Sequence, residues 1–310
     1  MLCSIIILNW NGAEMLRRYL PSVVKSIQTR GERREAKVEL IVADNGSTDN
    51  SLEVLAKEFP SVKTIVLDRN YGFAEGYNRA IKKLSAVSHQ HSDYVVLLNS
   101  DVETPEGWLD PLLDYMETHP EVAAVQPKIR SWLRRDCFEH AGAAGGYLSK
   151  LYFPYCRGRV LWHVEQDKGQ YDSVAEVDWT SGACMCVRTK VYQDCGGLDA
   201  SFFAHMEEID LCWRMRLAGW KLACIPQSVV YHLGGGALSY ESPRKTYLNH
   251  RNNLLMIRKN IKHPCGVLFV RALLDYAAAF FYLLQGRPQA FKAVFQARRD
   301  YRKMAAQQTK

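Results

Sequence analysis

Two carboxylates stand two positions apart directly after an apolar run, in the segment DYVVLLNSDVE. The run at residues 94–98 predicts a buried strand, and Asp101 and Glu103 follow it. In an extended chain alternate residues point to the same side, so these two side chains would form an oxygen-rich site. Such a site suits Mg²⁺ or Mn²⁺. A solvated turn, or a helix N-terminus before Pro105, explains the same acids, so the motif alone leaves both interpretations open.

A second group of acids lies in the segment HMEEIDLCWR, where Glu207, Glu208 and Asp210 follow two phenylalanines. A carboxylate beside large apolar side chains can have a raised pKa and serve as a general base. Alternatively, the acids mark the exposed first turn of a helix, where the macrodipole favours negative charge. Further along, His232 stands shortly before three glycines and could bind a metal or a phosphate, although a single histidine is more often structural.

Two polar turns also follow apolar runs. In DNGSTD, Asp44 could accept hydrogen bonds from a nucleotide base or ribose, and the Asn-Gly pair after it allows a ligand to approach the backbone. RNYGFAEGYN offers Arg69 for a phosphate, Gly76 for a close approach, and Asn78 on the helix that follows. Plain turns that lead into capped or packed helices explain the same residues, so these motifs also remain open.

The elements that would position these residues alternate between strand and helix in the first third of the chain. The predicted strands span residues 4–8, 38–43, 62–67 and 94–98, and a helix follows each of the first three. Continuous apolar strands between helices predict a parallel sheet covered on both faces. Ligands bind such sheets at the carboxyl ends of the strands, where all four polar segments would lie. Residues 125–177 look irregular and predict loops and short strands, whereas the chain after Pro243 looks helical.

Composition narrows the class of protein. The 310 residues are 47% hydrophobic, which allows one large domain or two closely joined halves. The N-terminus lacks a basic leader region and is interpreted as the first strand, and the nine scattered cysteines predict reduced thiols. No apolar run of about 18 residues predicts a spanning helix. The net charge of +7 suits anionic lipid or phosphorylated substrates, while no basic-aromatic interleaving predicts nucleic-acid binding. Phosphate-loop, dinucleotide-binding and hydrolase-elbow motifs are not present.

The ordered motifs NWNG, VADNGSTD, RNYGFAEGYN, LLNSDVE, SGACMCV, GGLDASFFAHMEEIDLCWR and VYHLGGG resemble those of family 2 glycosyltransferases. More narrowly, they resemble the bacterial rhamnosyltransferase-like branch, which builds cell-surface polysaccharide. The resemblance covers about residues 3–260 and implies an α/β GT-A fold, with a mostly parallel central sheet flanked by helices and followed by C-terminal helices. It divides the chain into a catalytic domain at 1–260, with a nucleotide-binding half at 1–105 and an acceptor-binding half at 106–260, and a helical segment at 261–310.

The resemblance also implies a role for each matching residue. Contacts with the nucleotide sugar are expected from Asn11, Asp44, Arg69, Asn70, Gly76, Asn78 and Ser100. Contacts with the acceptor are expected from Trp179, Gly182 and Ala183. The divalent metal, Mg²⁺ or Mn²⁺, is expected at Asp101, Glu103 and His232. Glu208 falls where the family has the catalytic aspartate of an E-D pair, and because the pair here is Glu-Glu, Glu207 stays an alternative for the base.

These assignments imply an inverting transfer from a nucleotide-diphosphate sugar, such as dTDP-rhamnose, to a glycan or lipid-linked acceptor. A metal-dependent sugar nucleotidyltransferase is the first alternative, but the segment after the first strand lacks the glycines that would hold a triphosphate. A non-catalytic member that binds a membrane partner is the second. It would be expected to lack carboxylates, yet every expected carboxylate position is filled.

The C-terminal segment carries an apolar stripe at helical spacing. The stripe consists of Leu273, Tyr276, Ala277, Phe280 and Leu284, and cations follow after Gly286. This pattern suits an interfacial helix near anionic lipids, so we expect a cytoplasmic protein at the cytoplasmic face of the inner membrane. A helix packed on the catalytic core is the alternative.

Overall fold

The computed structural model describes residues 1–30, 37–88, 91–140, 142–160, 163–234 and 242–307. The strands are β1 (Leu2–Asn9), β2 (Lys37–Asp44), β3 (Lys63–Val66), β4 (Tyr94–Asn99), β5 (Val102–Glu103), β6 (Val122–Ser131), β7 (Gly146–Leu148), β8 (Pro154–Cys156), β9 (Arg159–Val160), β10 (His163–Val164), β11 (Ala175–Glu176), β12 (Cys184–Arg188) and β13 (Lys221–His232). The helices are α1 (Ala13–Gln28), α2 (Ser51–Glu58), α3 (Gly72–Ser88), α4 (Asp110–Thr118), α5 (Thr189–Asp194), α6 (Glu207–Leu217), α7 (Pro243–Asn260), α8 (Cys265–Leu284) and α9 (Pro288–Gln307). The glycines at positions 235 and 236, which follow His232 in its motif, lie outside the described residues.

The first half of the central sheet is parallel, as the alternating pattern predicts. β1 lies between β2 and β4, and β3 extends the sheet beyond β2. In this register Asn9 pairs with Asp44, and Leu8 pairs with Asn99. The carboxyl ends of three strands therefore meet at one edge, which brings their polar residues together.

The second half of the sheet makes it mixed. β12 runs antiparallel between β4 and β6, and β13 runs parallel to β6. The prediction of an irregular region from residue 125 was wrong at its start, because β6 is a long central strand. Its pattern was hidden by Gln126 and Lys128, which are both buried. Lys128 forms ion pairs with Asp167 and Asp172, so the charge is compensated inside the protein.

Hydrophobic side chains fill the space on both faces of the sheet. Alternate residues of β1 point to opposite faces, so Ile5 packs in the core that includes Leu16 of α1, whereas Ile6 packs in the core that includes Tyr77 of α3. All nine cysteines are free, which agrees with the expected reduced thiols.

The C-terminal helices are joined by a buried carboxylate. Asp275 of α8 accepts hydrogen bonds from His250 of α7 at 3.0 Å and from Arg298 of α9 at 2.5 Å. Arg271 lies 3.8 Å from the same carboxylate. Opposite this network, α8 exposes a row of apolar side chains. In the described part of the chain α8 is long and apolar enough to cross a membrane, by length and composition, although the apolar runs of the sequence predicted no such helix.

Candidate active site

The first part of the site is a hydrogen-bonded loop at the ends of β1 and β2. Asp44 is completely buried, and its carboxylate accepts hydrogen bonds from the Asn9 side chain at 3.0 Å and from the Ser47 backbone at 2.9 Å. Asn11 has a φ of +49° and accepts from the backbone N–H of Thr48 at 2.7 Å. Asp44 and Asn11 therefore shape this loop, and their predicted contacts with a nucleotide stay predictions.

The second loop crosses the first at close range. Gly46 has a φ of +71°, and a Cβ atom built on it would lie 2.4 Å from Cα of Arg69, so only glycine fits there. The Asn70 side chain accepts a hydrogen bond from the Gly72 N–H at 2.8 Å. The Arg69 guanidinium lies over the Tyr71 ring, 4.9 Å from its centroid, and remains exposed to solvent. Of these residues, Arg69 is therefore the best placed to reach a ligand.

Two residues predicted to bind the nucleotide make contacts within the protein. A Cβ atom on Gly76 would lie 2.8 Å from the Leu8 side chain, so this glycine lets α3 approach β1. The Asn78 side chain donates to the Leu198 carbonyl at 2.6 Å and accepts from the Leu198 N–H at 3.0 Å and from the Tyr192 hydroxyl at 2.7 Å. The predicted contacts of Gly76 and Asn78 with the nucleotide stay predictions. Their partners are 68 to 120 residues away in sequence, beyond the reach of a local motif.

The strand-end acid Asp101 is brought to His232, as the sequence predicts. The Asp101 carboxylate lies 3.1 Å from Nε2 of His232, and the Asn99 side chain lies 3.5 Å from the same nitrogen. On the other edge of the ring, Nδ1 lies 3.5 Å from Glu139. Burial alone would lower the pKa of His232, but the Asp101 and Glu139 carboxylates raise this pKa to about 10. Ser100 lies in the turn between Asn99 and Asp101 and is partly exposed.

Glu103 does not join this pair. Its carboxylate accepts hydrogen bonds from the Trp132 indole at 2.8 Å and from the Arg135 guanidinium at 2.6 Å. The chain turns at Ser100 and Asp101 and then begins β5, so the extended geometry that would align Asp101 with Glu103 is not adopted. Among the described residues no three His, Cys, Asp or Glu side chains are grouped to hold a metal. Glu103 is therefore paired elsewhere in this structure, and its predicted role as a metal ligand stays a prediction.

Asp101 and His232 nevertheless fit a divalent ion whose remaining ligands are diphosphate oxygens and water. Mg²⁺ sites commonly use one or two protein ligands and complete the shell with phosphate oxygens and water. Nε2 of His232, which lies 3.1 Å from the Asp101 carboxylate, is the nitrogen that would bind such an ion, and binding would release the proton that the neighbouring carboxylates favour on the ring. Glu139 lies 3.5 Å from Nδ1, the other ring nitrogen, so we interpret it as the residue that orients the ring.

The predicted acceptor segment lies partly at this site. The Ala183 carbonyl accepts the Asn99 N–H at 3.0 Å, which fixes the strand end that precedes Asp101. A Cβ atom on Gly182 would lie 3.7 Å from Cβ of Glu208, so this loop faces the acidic pair. Trp179 is buried, and its indole donates to the Tyr147 carbonyl at 3.0 Å. Trp179 therefore supports the loop from below, and its predicted contact with the acceptor stays a prediction.

The acidic pair begins α6 and contains two differently placed carboxylates. Glu207 is buried, and its burial together with the neighbouring Glu208 charge raises its pKa well above the usual range. Glu208 is only partly buried, and desolvation raises its pKa to about 7. In both side chains Oε2 has no hydrogen-bond partner. Asp210, by contrast, is paired with Arg214 at 2.8 Å and is structural.

A strained loop presents this pair. Phe203, His205 and Met206 have φ values of +65°, +70° and +74°, a region that residues other than glycine rarely adopt. The buried Asn252 side chain lies 3.0, 2.9 and 2.7 Å from the carbonyls of residues 202, 204 and 205. Arg251 donates to the carbonyl of residue 202 at 2.9 Å. α7 therefore holds the loop in a conformation that the loop would not adopt alone.

The sequence interpretation missed four residues of this arrangement. They are Asn99, Glu139, Arg251 and Asn252. The first stands at the same i, i+2 spacing from Asp101 as Glu103 does, and that spacing could have suggested it. The run RNN within an otherwise helical segment is a second available signal, since polar side chains buried in a helix need partners.

Comparisons with known proteins identify the family of this chain. A family model described as glycosyl transferase family 2 matches residues 4–167, more than half of the chain, and one described as glycosyl transferase family group 2 matches residues 94–274. The chain therefore belongs to glycosyltransferase family 2. It is an enzyme that transfers sugar from a nucleotide-sugar donor.

A sequence relative narrows this class. The chain is 27% identical, over 236 residues, to the N-acetylglucosaminyl-diphospho-decaprenol L-rhamnosyltransferase of Mycobacterium tuberculosis, covering 74% of this chain and 75% of that protein. The resemblance to the rhamnosyltransferase-like branch is thereby confirmed.

Solved structures confirm the predicted GT-A fold. S. aureus TarS with UDP-GlcNAc matches with a TM-score of 0.57 and 16% identity, over 96% of this chain and 81% of that chain. A mannosyltransferase of Pyrobaculum calidifontis in complex with GDP-Man and Mn²⁺ matches with a TM-score of 0.56 and 15% identity, over 99% of this chain and 79% of that chain.

Proposed function

We propose that this enzyme is an inverting, metal-dependent glycosyltransferase that moves rhamnose from dTDP-rhamnose to a hydroxyl of a glycan or lipid-linked acceptor in cell-surface polysaccharide synthesis. The observation that carries the proposal is the position of Glu208, a carboxylate with a pKa of about 7 that faces Gly182. One residue further, Ala183 holds the strand end that leads to Asp101. A base and a leaving-group site thus share one loop. The proposed donor and acceptor rest on the relative that is named for L-rhamnose and a lipid diphosphate.

The donor nucleotide is proposed to lie over the loops at the ends of β1, β2 and β3. Asp44 holds the first loop in place, and the exposed Arg69 supplies a cation for the phosphates. Asn70 fixes the start of α3 through the Gly72 N–H. These contacts would orient the sugar toward Gly182 and leave the acceptor side open.

The residues proposed to hold the divalent ion are Asp101 and His232. When bound, such an ion neutralises charge on the departing nucleoside diphosphate. Asn99 and Glu139 contact the His232 ring from its two edges and so fix its orientation. The Mn²⁺ in the structure of the mannosyltransferase from Pyrobaculum calidifontis supports a metal-dependent mechanism.

Glu208 is proposed to accept the proton of the attacking hydroxyl. The acceptor oxygen then forms a bond to the anomeric carbon while the bond from that carbon to the diphosphate oxygen breaks. A single displacement inverts the anomeric configuration and needs no carboxylate nucleophile, unlike a retaining glycosidase. The pKa of Glu207 is raised well above its usual range because the side chain is buried beside the Glu208 charge, so Glu207 is the weaker candidate for the base.

We assign the enzyme to the cytoplasmic side of the membrane, in peripheral contact with it. Among the residues of α8, Leu273 is 57% exposed, Phe280 56% and Leu284 86%. Exposed cations of α9 follow in the chain and suit anionic head groups. Arg298 is not one of them, because it is buried against Asp275. A lipid-linked acceptor would meet the enzyme at the same surface.

A panel of nucleotide sugars tests the donor and the reaction class. With Mn²⁺ present, dTDP-rhamnose should raise the melting temperature more than other donors, because a bound ligand stabilises the folded state by mass action. Turnover should release a nucleoside diphosphate and give a product of inverted anomeric configuration by NMR. Release of pyrophosphate would instead identify a nucleotidyltransferase, and a chain that binds no donor would overturn the proposal.

A further inference from the structure

A groove of about 550 Å³ lies between α7 and α9 and reaches the strained loop. Phe203 of that loop forms part of its lining, four residues before Glu207. Tyr247 and Leu248 of α7 and Ala293 of α9 line it further. The groove therefore opens beside the loop that carries the proposed base, and none of the contacts described above fills it.

The polar lining of the groove is cationic. Arg244, Arg251 and Lys292 line it, and no acidic residue does. Arg251 already donates to the loop carbonyls. Arg244 and Lys292 are exposed, and neither has a carboxylate partner in the described ranges of the chain. Arg244 lies over the Phe203 ring, 5.4 Å from its centroid. Two cations without a carboxylate partner across one groove favour an anion with more than one charged oxygen, such as a diphosphate.

An apolar surface continues from this cationic groove. A second depression of about 570 Å³ shares Pro243 and Gln289 with the groove and extends to the turn between α8 and α9. From that turn, α8 exposes Phe281 by 54% and Leu284 by 86%. Along the surface, the loop that carries the proposed base is therefore followed by the cationic groove and then by the apolar face of α8. This order matches a sugar, its diphosphate and a hydrocarbon chain.

We infer that this groove binds the diphosphate of a lipid-linked acceptor, with Arg244 and Lys292 on the phosphates and the lipid chain along α8. The inference rests on the proposed function, because it names the class of acceptor for the same active site. It adds a phosphate site on the acceptor side of the enzyme, separate from the donor loops at β1 and β2. A phosphate-bearing acceptor would then be held with its sugar toward Glu208.

Farnesyl diphosphate is a suitable probe for the full-length protein, measured by calorimetry in EDTA so that no metal recruits it to the donor site. It should bind more tightly than farnesol and more tightly than inorganic pyrophosphate, since both parts of the groove contribute. The double variant Arg244→Ala/Lys292→Ala should weaken this binding by about 10²-fold, about tenfold for each charged hydrogen bond. Arg244→Lys should retain most of it.

The matched control is Arg302→Ala/Lys303→Ala, which removes the same charge from exposed positions of α9 that do not line the groove. Farnesyl diphosphate binding should change by no more than about twofold in this control, by the same arithmetic. Equal losses in both double variants, or binding of farnesol as tight as that of farnesyl diphosphate, would overturn the inference. Vesicles with phosphatidylglycerol but no diphosphate lipid should not separate the two variants. If they do, the groove binds anionic lipids in general and the inference is wrong.

Two results separate this site from the proposed function. If the enzyme transfers sugar to a phosphate-free alkyl glycoside while Arg244→Ala/Lys292→Ala leaves farnesyl diphosphate binding unchanged, the groove assignment fails and the function stands. If no donor is turned over but the probe binds with the expected dependence on these two residues, the groove stands and the proposed function fails.

Discussion

At the scale of single residues, Glu207 and Glu208 differ by environment and not by chemistry. Glu207 is buried, which raises its pKa well above the usual range, and Glu208 is partly buried with a pKa of about 7. A general base works best when its pKa lies near the working pH. The structure therefore favours the second acid of the pair, on physical grounds that are independent of the family resemblance.

The pKa of Glu208 predicts the pH profile. Below about pH 7 its carboxylate is protonated and cannot accept the hydroxyl proton, so kcat/KM should rise about tenfold per pH unit up to that point and then level off. The measurement is kcat/KM between about pH 5.5 and about pH 9 at saturating metal. Glu207→Gln should keep an acidic limb. A profile that is flat across this range would remove Glu208 as the base.

Asp101 and Glu103 should differ in their effect on metal dependence. Asp101→Asn should abolish the metal-dependent binding of a nucleoside diphosphate, because it removes the charge beside His232. Glu103→Gln should keep that binding, since its carboxylate is occupied by Trp132 and Arg135. Titration of each variant with Mn²⁺ and nucleotide is the measurement. Loss of metal dependence in Glu103→Gln alone would indicate that Glu103 binds the metal, as the spacing of the two carboxylates predicts.

At the scale of elements, local patterns predicted the ends of the early strands better than the contacts made there. The helix predicted after the first strand is α1, and the predicted strand at 94–98 is β4 within one residue. Period and turn residues are local signals, so they report such bounds. The partners of Asn78 and Asp101 lie more than a hundred residues away in sequence. The buried Lys128 interrupts the apolar pattern of β6, so that strand was not predicted. Contacts of this kind depend on the packed sheet and not on a local pattern.

Asn252 and Arg251 of α7 form a clamp on the strained loop through its carbonyls. Asn252→Ala removes the side-chain donor of the loop carbonyls of residues 204 and 205, while the carbonyl of residue 202 keeps Arg251, which should cost about 1–3 kcal/mol of folding free energy. Because Glu208 is then no longer held in place, kcat should fall by about 10²-fold, while KM for the donor should change little. Kinetics and thermal unfolding of the same variant give both numbers.

Asn253→Ala is the matched control for this clamp. Asn253 is also buried in α7, but its side chain donates to the Tyr152 carbonyl at 2.9 Å and not to the loop. It should lower stability by a similar amount and leave kcat nearly unchanged. An equal loss of kcat in the two variants would show that the loop has no special dependence on Asn252.

At the scale of the whole molecule, one buried carboxylate organises the C-terminal helices and leaves an apolar face outside. Asp275 ties α8 to α7 and α9 through His250 and Arg298. The polar side of α8 is thus directed inward, and its apolar side chains remain exposed. Exposed apolar patches of this kind mark interaction surfaces.

This surface predicts binding to anionic vesicles at low salt. Phe280→Ser/Leu284→Ser removes two exposed apolar side chains and should reduce vesicle binding by about tenfold or more, because burying each such side chain contributes roughly 1.5–3 kcal/mol. Activity on an acceptor without a lipid chain should persist, since the α8 face would contact only the lipid chain or the membrane. Cosedimentation with vesicles measures the first effect. Unchanged cosedimentation of this variant would rule out the α8 face as the contact.

The central claim is that Glu208 is the base of a single-displacement glycosyl transfer. The most direct test compares the turnover of Glu208→Gln and Glu207→Gln at pH 8 with donor binding measured on the same samples. Glu208→Gln removes only the basic oxygen, so turnover should fall by about 10² to 10⁴ with donor affinity retained, and Glu207→Gln should be milder. If Glu208→Gln turns over near the wild-type rate while Glu207→Gln is inactive, the claim is contradicted and the base moves to Glu207.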